Sequence, residues 1–246
     1  MGANCVSPNH MKLPSALVLG SLAAFTFGAP APKGDGTLRD NFDGKLTLDW
    51  KVVRPDATHV SLNKVKGALV ITTQLGSIHG PQPAGDGGKA KNIHLIDNPF
   101  KEMDWVATTC VAGLRADTFY QQAGLIVYTD DDNYLKWGYE ADWSKGEGQR
   151  FIAVAETVCK AEHVTPSSSE SGLKKYWLRL TRRGDTYALD WSADGDKWVT
   201  GPEAKWGDGH PKRVGLIAKN GGNKEAAERD AAFEFFDLRP APPVKK

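Results

Sequence analysis

The sequence predicts an all-β fold, a sandwich or barrel of antiparallel strands, from three observations. First, two apolar, β-prone runs in residues 121–140 flank a polar tetrad at residues 130–133, read as DDDN. Three acids and an asparagine are not buried without partners and bond readily to nearby backbone, so they mark a hairpin turn. Second, short segments rich in β-branched and aromatic residues recur between Gly, Asp and Pro clusters. Third, the sequence shows no convincing amphipathic helix longer than two turns.

The predicted strands share this β-prone composition, and many alternate apolar with polar residues. They are residues 60–62, 68–73, 105–114, 123–128, 134–140, 151–158, 176–182, 186–192, 214–218 and 232–238. A second hairpin is predicted in residues 187–198, because Asp194-Gly195 is a strong type I′ turn signal. Residues 76–91, rich in Gly and Pro, and residues 160–172, rich in Ser, are predicted as long loops. Long loops on a β scaffold often carry binding function.

The N-terminus predicts export. Residues 1–29 read as a signal peptide, with Met11 as an alternative start: Lys12 precedes an apolar stretch that ends in the small residues Gly28 and Ala29. The stretch is too short to span a membrane comfortably, and no later apolar run is long, so no membrane insertion is expected. Residues 30–37 form a predicted linker, 38–239 a single β domain, and 240–246 a disordered tail. The expected location is secreted or periplasmic.

The composition limits the classes of partner that the chain is expected to bind. Net charge is +1, with 40% hydrophobic and 25% charged residues, so no strong attraction to nucleic acid or anionic lipid is expected. No zinc-type Cys/His spacing occurs. Signal cleavage would leave Cys110 and Cys159, which are compatible with one disulfide or with two buried thiols. We expect a monomer.

Three blocks of the sequence resemble, in order and spacing, a concanavalin A-like jelly-roll family. They are DNFDGKLTLDW at 40–50, QQAGLIVYTDDDNYLKWGYE at 121–140 and YWLRLTRRGDTYALDWSADGDKW at 176–198. The family includes the C-terminal β-sandwich domain of bacterial β-xylosidases and a relative of unknown function named for regulation of enolase. The resemblance covers about residues 38–239. It implies two stacked antiparallel sheets, one of them concave and often presenting a carbohydrate-binding face.

Strand alternation places candidate ligand groups on one face. Tyr134, Lys136 and Glu140 share a face of their predicted strand, opposite an apolar face. Amide, carboxylate and guanidinium groups beside an aromatic platform suit sugars, which offer hydroxyls and apolar ring faces. The sequence therefore predicts a non-catalytic domain that binds a polysaccharide or oligosaccharide. Its expected ligand-binding residues are Gln122, Lys136, Glu140, Trp143 and Arg150. A structural ion network involving Lys136 and Glu140 is the alternative interpretation of those two residues.

Two further functions stay open. Some jelly-roll glucanases carry Glu-x-Asp-x-x-Glu on a concave strand; here Glu140 and Asp142 are present, but Lys145 replaces the second Glu. A glycoside hydrolase with Glu140 as one catalytic carboxylate would need Glu147 or a carboxylate from another strand. The second alternative is a structural or protein-binding module of the cell envelope.

No cofactor is expected to be required; the alternative is a structural calcium ion near the first and last strands. Asp40, Asp43 and Asp237 are the candidate ligands, since calcium prefers carboxylate oxygens. Ordinary turn and edge acids explain the same residues.

Overall fold

A computed structural model describes residues 36–78, 88–100, 103–141, 148–158, 160–207 and 211–243. The predicted signal peptide and most of the predicted linker lie outside the described residues, as do Trp143 and Cys159. The described chain forms strands joined by turns, with one short 3-10 helix at Ala57–His59. In chain order the strands are β1 (Leu38–Asp40), β2 (Lys51–Val53), β3 (Val60–Ser61), β4 (Leu69–Thr72), β5 (Ile93–Asp97), β6 (Trp105–Ala112), β7 (Gln122–Asp130), β8 (Asn133–Ala141), β9 (Gln149–Thr157), β10 (Lys160–Ser169), β11 (Lys175–Arg183), β12 (Thr186–Ser192), β13 (Glu203–Lys205), β14 (Arg213–Lys219) and β15 (Asp230–Pro240).

The strands form two antiparallel sheets, which confirms the predicted fold class. One sheet has eight strands in the order β13-β12-β11-β6-β15-β4-β3, with β1 also paired to β15. The other has seven strands in the order β10-β9-β8-β7-β14-β5-β2. The β7–β8 hairpin predicted from the polar tetrad lies near the centre of the seven-stranded sheet, with Asp130 paired to Asn133 at its turn.

The main core lies between the sheets and is rich in aromatic side chains. Trp137, Tyr139, Phe151 and Tyr176 all belong to it and are almost inaccessible to solvent. Their polar atoms have partners: Trp137 Nε1 donates to the carbonyl of Asp190 at 3.0 Å, and the Tyr139 hydroxyl donates to that of Glu170 at 2.8 Å. Because side chains alternate along a strand, burying Trp137 and Tyr139 turns their β8 neighbours to the outer face of the sheet.

A smaller apolar cluster covers part of that outer face. Ile78 and Ala90, at the two described ends of the predicted loop 76–91, pack against residues of the seven-stranded sheet that include Leu95, Ile126 and Ile217. Residues 79–87 of this loop lie outside the described residues. The outer face is therefore more enclosed than a bare concave sheet would be.

The prediction of a loop at residues 160–172 was wrong over most of its length. Residues 160–169 form β10, which pairs antiparallel with β9 and has a register shift between Val164 and Ser168. The segment escaped notice because its Ser-rich composition has low β propensity, while an edge strand needs only one neighbour. Three further strands, β1, β2 and β13, were not predicted, because three residues each are too few to show alternation. Strand β5 was not predicted either: four of its five residues are buried, so buried and exposed positions do not alternate along it.

The structure also bears on the expectations about the cysteines and about membrane insertion. Cys110 is a free, buried thiol in β6, and burial, together with the nearby charge of Glu234, raises its pKa to about 12. Among the described residues, no helix is long and apolar enough to cross a membrane.

Candidate functional site

Four polar side chains form a line across four neighbouring strands on the outer face of the seven-stranded sheet. Arg150 of β9 pairs with Glu140 of β8, Glu140 with Gln122 of β7, and Gln122 with Lys219 of β14. Directly paired residues of antiparallel strands have Cβ atoms only about 4.5–5.5 Å apart, so the four side chains are lateral neighbours. We call this set the polar row. It unites three of the residues expected from the sequence.

Glu140 is the centre of the polar row. Its Oε2 accepts a hydrogen bond from Gln122 Nε2 at 2.5 Å, and its Oε1 accepts from Arg150 Nε at 3.2 Å and Nη2 at 2.8 Å. Glu140 is only 2% exposed, whereas the side chain of Arg150 is 16% exposed. The carboxylate is thus an internal counter-ion that fixes the direction of the guanidinium, and the guanidinium is the part nearer the surface.

Two buried lysines surround the same carboxylate. Burial lowers the pKa of Lys136 to about 8, although the charges of Glu140 and Glu156 act to raise it. Burial also holds the pKa of Lys219 well below its ordinary value, and the charge of Lys136 lowers it further while Glu140 opposes both. Lys219 Nζ donates to the backbone carbonyl of Tyr120 at 3.0 Å. The site therefore holds two buried lysines whose charged forms are disfavoured by burial.

Two paired glycines interrupt the outer face next to the polar row. Gly124 of β7 faces Gly138 of β8. A Cβ atom on Gly124 would lie 2.1 Å from the carbonyl oxygen of Trp137, and one on Gly138 would lie 2.7 Å from that of Ala123. Only glycine fits this close strand contact, and it leaves the sheet without side chains at these two positions.

A pocket of about 290 Å³ opens beside Arg150. Tyr120, just before β7, lies at the pocket with 44% of its surface exposed and with a positive φ of 68°. The ring of Phe119 lies 3.9 Å from that of Tyr120, measured between centroids. On the other side, the irregular part of β10 contributes wall residues, as bulges near functional sites often do. We call this the Arg150 pocket; its lining includes Phe119, Tyr120, Arg150, Ile152, His163 and Ser167.

The residues expected from the sequence differ in their places around this pocket. Arg150 lines it, and Gln122 and Glu140 stand behind Arg150 as its supports. Lys136 lies on the same face of the sheet but is buried to 5% exposure. Trp143, the expected aromatic platform, lies outside the described residues.

Sequence reasoning missed Tyr120, Phe119 and His163. The adjacent aromatic pair Phe119-Tyr120, directly before the strand, was the only signal available for the first two. His163 lies in the segment wrongly predicted as a loop.

Two of the three residues considered for calcium, Asp40 and Asp237, have other partners. The two oxygens of Asp40 accept hydrogen bonds from the backbone of Phe42 and Thr47 and from the indole of Trp50, at 2.7–3.0 Å. Asp237 lies 3.6 Å from guanidinium nitrogens of Arg39 and Arg239. In the described part of the chain, no group of three or more His, Cys, Asp or Glu residues could hold a metal ion. Calcium binding stays a prediction that the geometry does not support.

These features define a two-sheet β-sandwich with a pocket on the outer face of one sheet. Residues 65–240 match the family described as Protein of unknown function (DUF1349), and the chain belongs to this family. No significant match was found among curated protein sequences.

Solved structures confirm the concanavalin A-like jelly-roll fold. The GH43 BlXynB protein of Bacillus licheniformis is 22% identical, with a TM-score of 0.69 over 82% of this chain and 39% of its own. Xylan beta-1,4-xylosidase from Bacillus halodurans is 16% identical, with a TM-score of 0.65 over 82% of this chain and 38% of its own. The β-glucanase of Bacillus licheniformis is 10% identical, with a TM-score of 0.51 over 85% of this chain and 100% of its own.

This chain thus spans well under half the length of BlXynB and of the xylan beta-1,4-xylosidase. At such identities the likeness establishes the fold alone. The chain is a domain of unknown function that is structurally similar to domains of carbohydrate-active proteins.

Proposed function

We propose that this domain binds a polysaccharide or oligosaccharide in the Arg150 pocket. The observation that carries the proposal is an exposed aromatic ring, Tyr120, beside a guanidinium of fixed direction at a pocket of about 290 Å³. Sugar rings have apolar faces that pack on aromatic side chains, and their hydroxyls need directional hydrogen bonds. The similarity to domains of carbohydrate-active proteins supports the same ligand class.

Exposure divides the residues of the site into two groups. Tyr120 and Arg150 contact the sugar directly, the first by stacking and the second by hydrogen bonding. Gln122 and Glu140 act through Arg150, because both are buried and bonded within the polar row. Holding a ligand-binding side chain in one conformation before the ligand arrives reduces the entropy lost on binding.

We propose binding without catalysis, because the described residues supply no suitable pair of carboxylates on this face. Both oxygens of Glu140 are bonded to protein groups. Glu156 pairs with Tyr134, six residues from Glu140 along β8, and at ~3.4 Å per residue this places the two acids roughly 20 Å apart. Glycosidases need about 5–9.5 Å between their two carboxyl groups. Asp142 and Glu147, the other acids considered, lie outside the described residues.

The proposed setting is outside the cytoplasm. Its support is the signal-like sequence of residues 1–29. The monomeric state stays a prediction. An extracellular or periplasmic location would bring the pocket into contact with structural polysaccharides.

The test is binding of the mature chain to a panel of plant, algal and microbial polysaccharides, with release of reducing ends measured in the same samples. Tyr120→Ala should weaken binding of whichever ligand is retained by about tenfold or more, the size of an aromatic hot-spot loss. The matched control is Val199→Ala, which removes a side chain of similar exposure, 43%, in the segment that follows β12 of the other sheet.

The outcomes separate the candidate functions. Retention that depends on Tyr120 and not on Val199, with no new reducing ends, is the expected result. Retention unaffected by Tyr120→Ala would remove the Arg150 pocket from consideration. New reducing ends that disappear in Glu140→Gln, under conditions where circular dichroism shows the variant to be folded, would establish the hydrolase instead.

A further inference from the structure

The turn that leads into β7 breaks a local rule of backbone conformation. The amide of Gln121 donates to the carbonyl of Thr118 at 3.0 Å, which closes a four-residue turn with Tyr120 at its third position. Tyr120 has a φ of 68°. Turns with a positive φ at this position favour glycine or asparagine, because the Cβ atom of other side chains crowds the backbone there. A tyrosine in this place therefore costs stability.

Packing in the core does not explain why a tyrosine occupies this position. All six tyrosines of the chain lie among the described residues, and five of them are at most 4% exposed. Tyr120 is 44% exposed, and it lines the Arg150 pocket beside Phe119. Backbone strain is found most often at functional sites, where a side chain must be held in one place. The strain at Tyr120 thus favours contact with a ligand over a role in folding.

The chain that follows β14 holds this turn in place. Lys219 Nζ donates to the carbonyl of Tyr120, and Gln121 Nε2 donates to Asn220 Oδ1 at 2.8 Å. Gln121 is inaccessible to solvent, and its Nε2 also donates to the carbonyl of Ala227 at 2.7 Å. The strained residue and its successor are therefore both fastened to the same neighbouring segment.

Gly221 in that segment leaves the space that the strained turn needs. Its φ is 73°, and a Cβ atom added to it would lie 2.4 Å from the Cβ atom of Tyr120. This is far inside the roughly 3.5–4.0 Å at which carbon atoms make contact. The carbonyl of Gly221 accepts a hydrogen bond from the amide of Gly76 at 2.8 Å, which fixes its side of the contact. Any side chain at residue 221 would therefore displace Tyr120.

We propose that Tyr120 contacts the ligand at a cost to folding stability, and that Gly221 is the positioning residue that allows its ring to stand at the Arg150 pocket. The inference rests on the proposed function and adds the contact that fixes its aromatic residue. Gly221 acts through Tyr120 and does not touch the ligand. A ring that is held in place before the ligand arrives loses less entropy on binding.

Stability measurements test the strain at Tyr120. Tyr120→Ala and Tyr120→Gly both remove the ring, but only alanine keeps a Cβ atom at a positive φ. At an ordinary position the glycine variant is the less stable one, because glycine loses more conformational freedom on folding. At residue 120 the order should be reversed, with the higher denaturant midpoint for glycine. Val199, which is 43% exposed and has no positive φ, is the control: Val199→Gly should be less stable than Val199→Ala.

A matched pair of glycine variants tests the positioning role. Gly44 has a φ of 72°, and a Cβ atom there would meet nothing within 4 Å, so Gly44→Ala shares the backbone strain of Gly221→Ala without the contact to Tyr120. Tetranitromethane, which nitrates exposed tyrosines, should modify the wild-type chain at Tyr120. Gly221→Ala should change the rate of this reaction severalfold, because the ring is displaced. It should also weaken retention on the polysaccharide panel by about tenfold. Gly44→Ala should change neither quantity.

The outcomes separate this inference from the proposed function. A Tyr120→Gly variant less stable than Tyr120→Ala would overturn the strain at Tyr120 and the inference with it. Equal nitration and equal retention in Gly221→Ala and Gly44→Ala would overturn the positioning role of Gly221 and leave carbohydrate binding standing. Retention of the wild-type chain on none of the polysaccharides would overturn the proposed function together with the ligand contact of Tyr120.

Discussion

The two ends of the β7–β8 hairpin use similar residues for opposite purposes. At the turn, Asp131 accepts hydrogen bonds from Arg54 Nη1 and Nη2 at 2.8 and 2.9 Å, from Lys89 Nζ at 3.0 Å and from the hydroxyl of Tyr128 at 2.8 Å. Tyr128 is only 4% exposed, while the side chain of Lys89 is 45% exposed. Burial alone would raise the pKa of Asp131, but these bonds outweigh it and hold that pKa below its ordinary value.

At the open end, one carboxylate is again surrounded by cations and a tyrosine. Glu140 binds Arg150, and Lys136 and Lys219 stand nearby. Here the lysines are buried and the tyrosine is outside: Lys219 is 1% exposed and Tyr120 is 44% exposed. The exposure pattern of the turn end is thus reversed.

The difference teaches that burial, more than residue type, separates a structural ion network from a candidate binding site. At the turn, water compensates the positive charge that Asp131 does not neutralise. The hydroxyl of Tyr128 is bonded to Asp131 inside the network. At the Arg150 end, the lysines are shielded from water and the tyrosine ring is available to a ligand. An ion network of the first kind fastens the segment before β5 to the hairpin, and the second kind holds a guanidinium in a fixed direction beside an exposed aromatic ring.

The largest effect expected from this comparison is on stability. Glu140→Gln keeps the shape of the side chain but leaves the buried cations without their counter-ion, so it should lower the free energy of unfolding by about 3–5 kcal/mol. Asp131→Asn is the matched change at the turn and should cost only roughly 1–2 kcal/mol, because solvent can compensate Lys89 and Arg54. Denaturant unfolding of both variants measures the difference. Equal losses would mean that burial does not separate the two ends.

The next effect is a pH dependence that belongs to the Arg150 end. The pKa of Lys136 is lowered from 10.5 to about 8 in the folded protein. Between these values the unfolded chain binds a proton that the folded chain does not, so stability attributable to Lys136 rises with pH and is least below about pH 8. Relative to Lys136→Met, the wild-type protein should therefore gain about 2–3 kcal/mol between about pH 8 and pH 10.

The comparison of the two proteins cancels the groups that Lys136 does not influence; Lys219, whose pKa the charge of Lys136 lowers, adds a rise of the same sign to the wild-type protein. Burial also raises the pKa of Cys110 and Tyr128, and those groups oppose the rise, but they contribute equally to both proteins and cancel in the difference. Unfolding curves collected across the pH range provide the measurement. Parallel stability curves for the wild type and Lys136→Met would contradict the prediction.

Much of the fold was predictable because its signals are local. The tetrad at residues 130–133 and the alternation around Trp137 were sufficient to predict the β7–β8 hairpin and which residues share its outer face. The edge strand β10 was not predictable in this way, because its Ser-rich composition carries little β preference. Its pairing with β9 supplies what the local sequence lacks.

The site was only partly predictable, because its character depends on contacts between distant segments. Alternation correctly grouped Glu140 with Lys136 on one face, and strand pairing then brought in Gln122 and Arg150. Alternation did not predict how deeply Lys136 and Glu140 are buried, since burial depends on packing across the sheet and on the described ends of loop 76–91. The position of Tyr120 depends on a bond from a lysine 99 residues later. No local pattern reports such a bond.

The smallest expected effect tests that bond. Lys219→Met removes the donor to the Tyr120 carbonyl and should weaken binding of a neutral saccharide roughly threefold to tenfold, because the platform is held less firmly. A neutral ligand is chosen so that the lost charge of Lys219 does not itself matter. In a Tyr120→Ala background the same change should have almost no further effect, since two residues that act through one contact are not additive. Isothermal titration of the four proteins completes the cycle. If the two losses simply add, Lys219 acts independently of Tyr120, and the open end of the hairpin is not organised by its buried lysine.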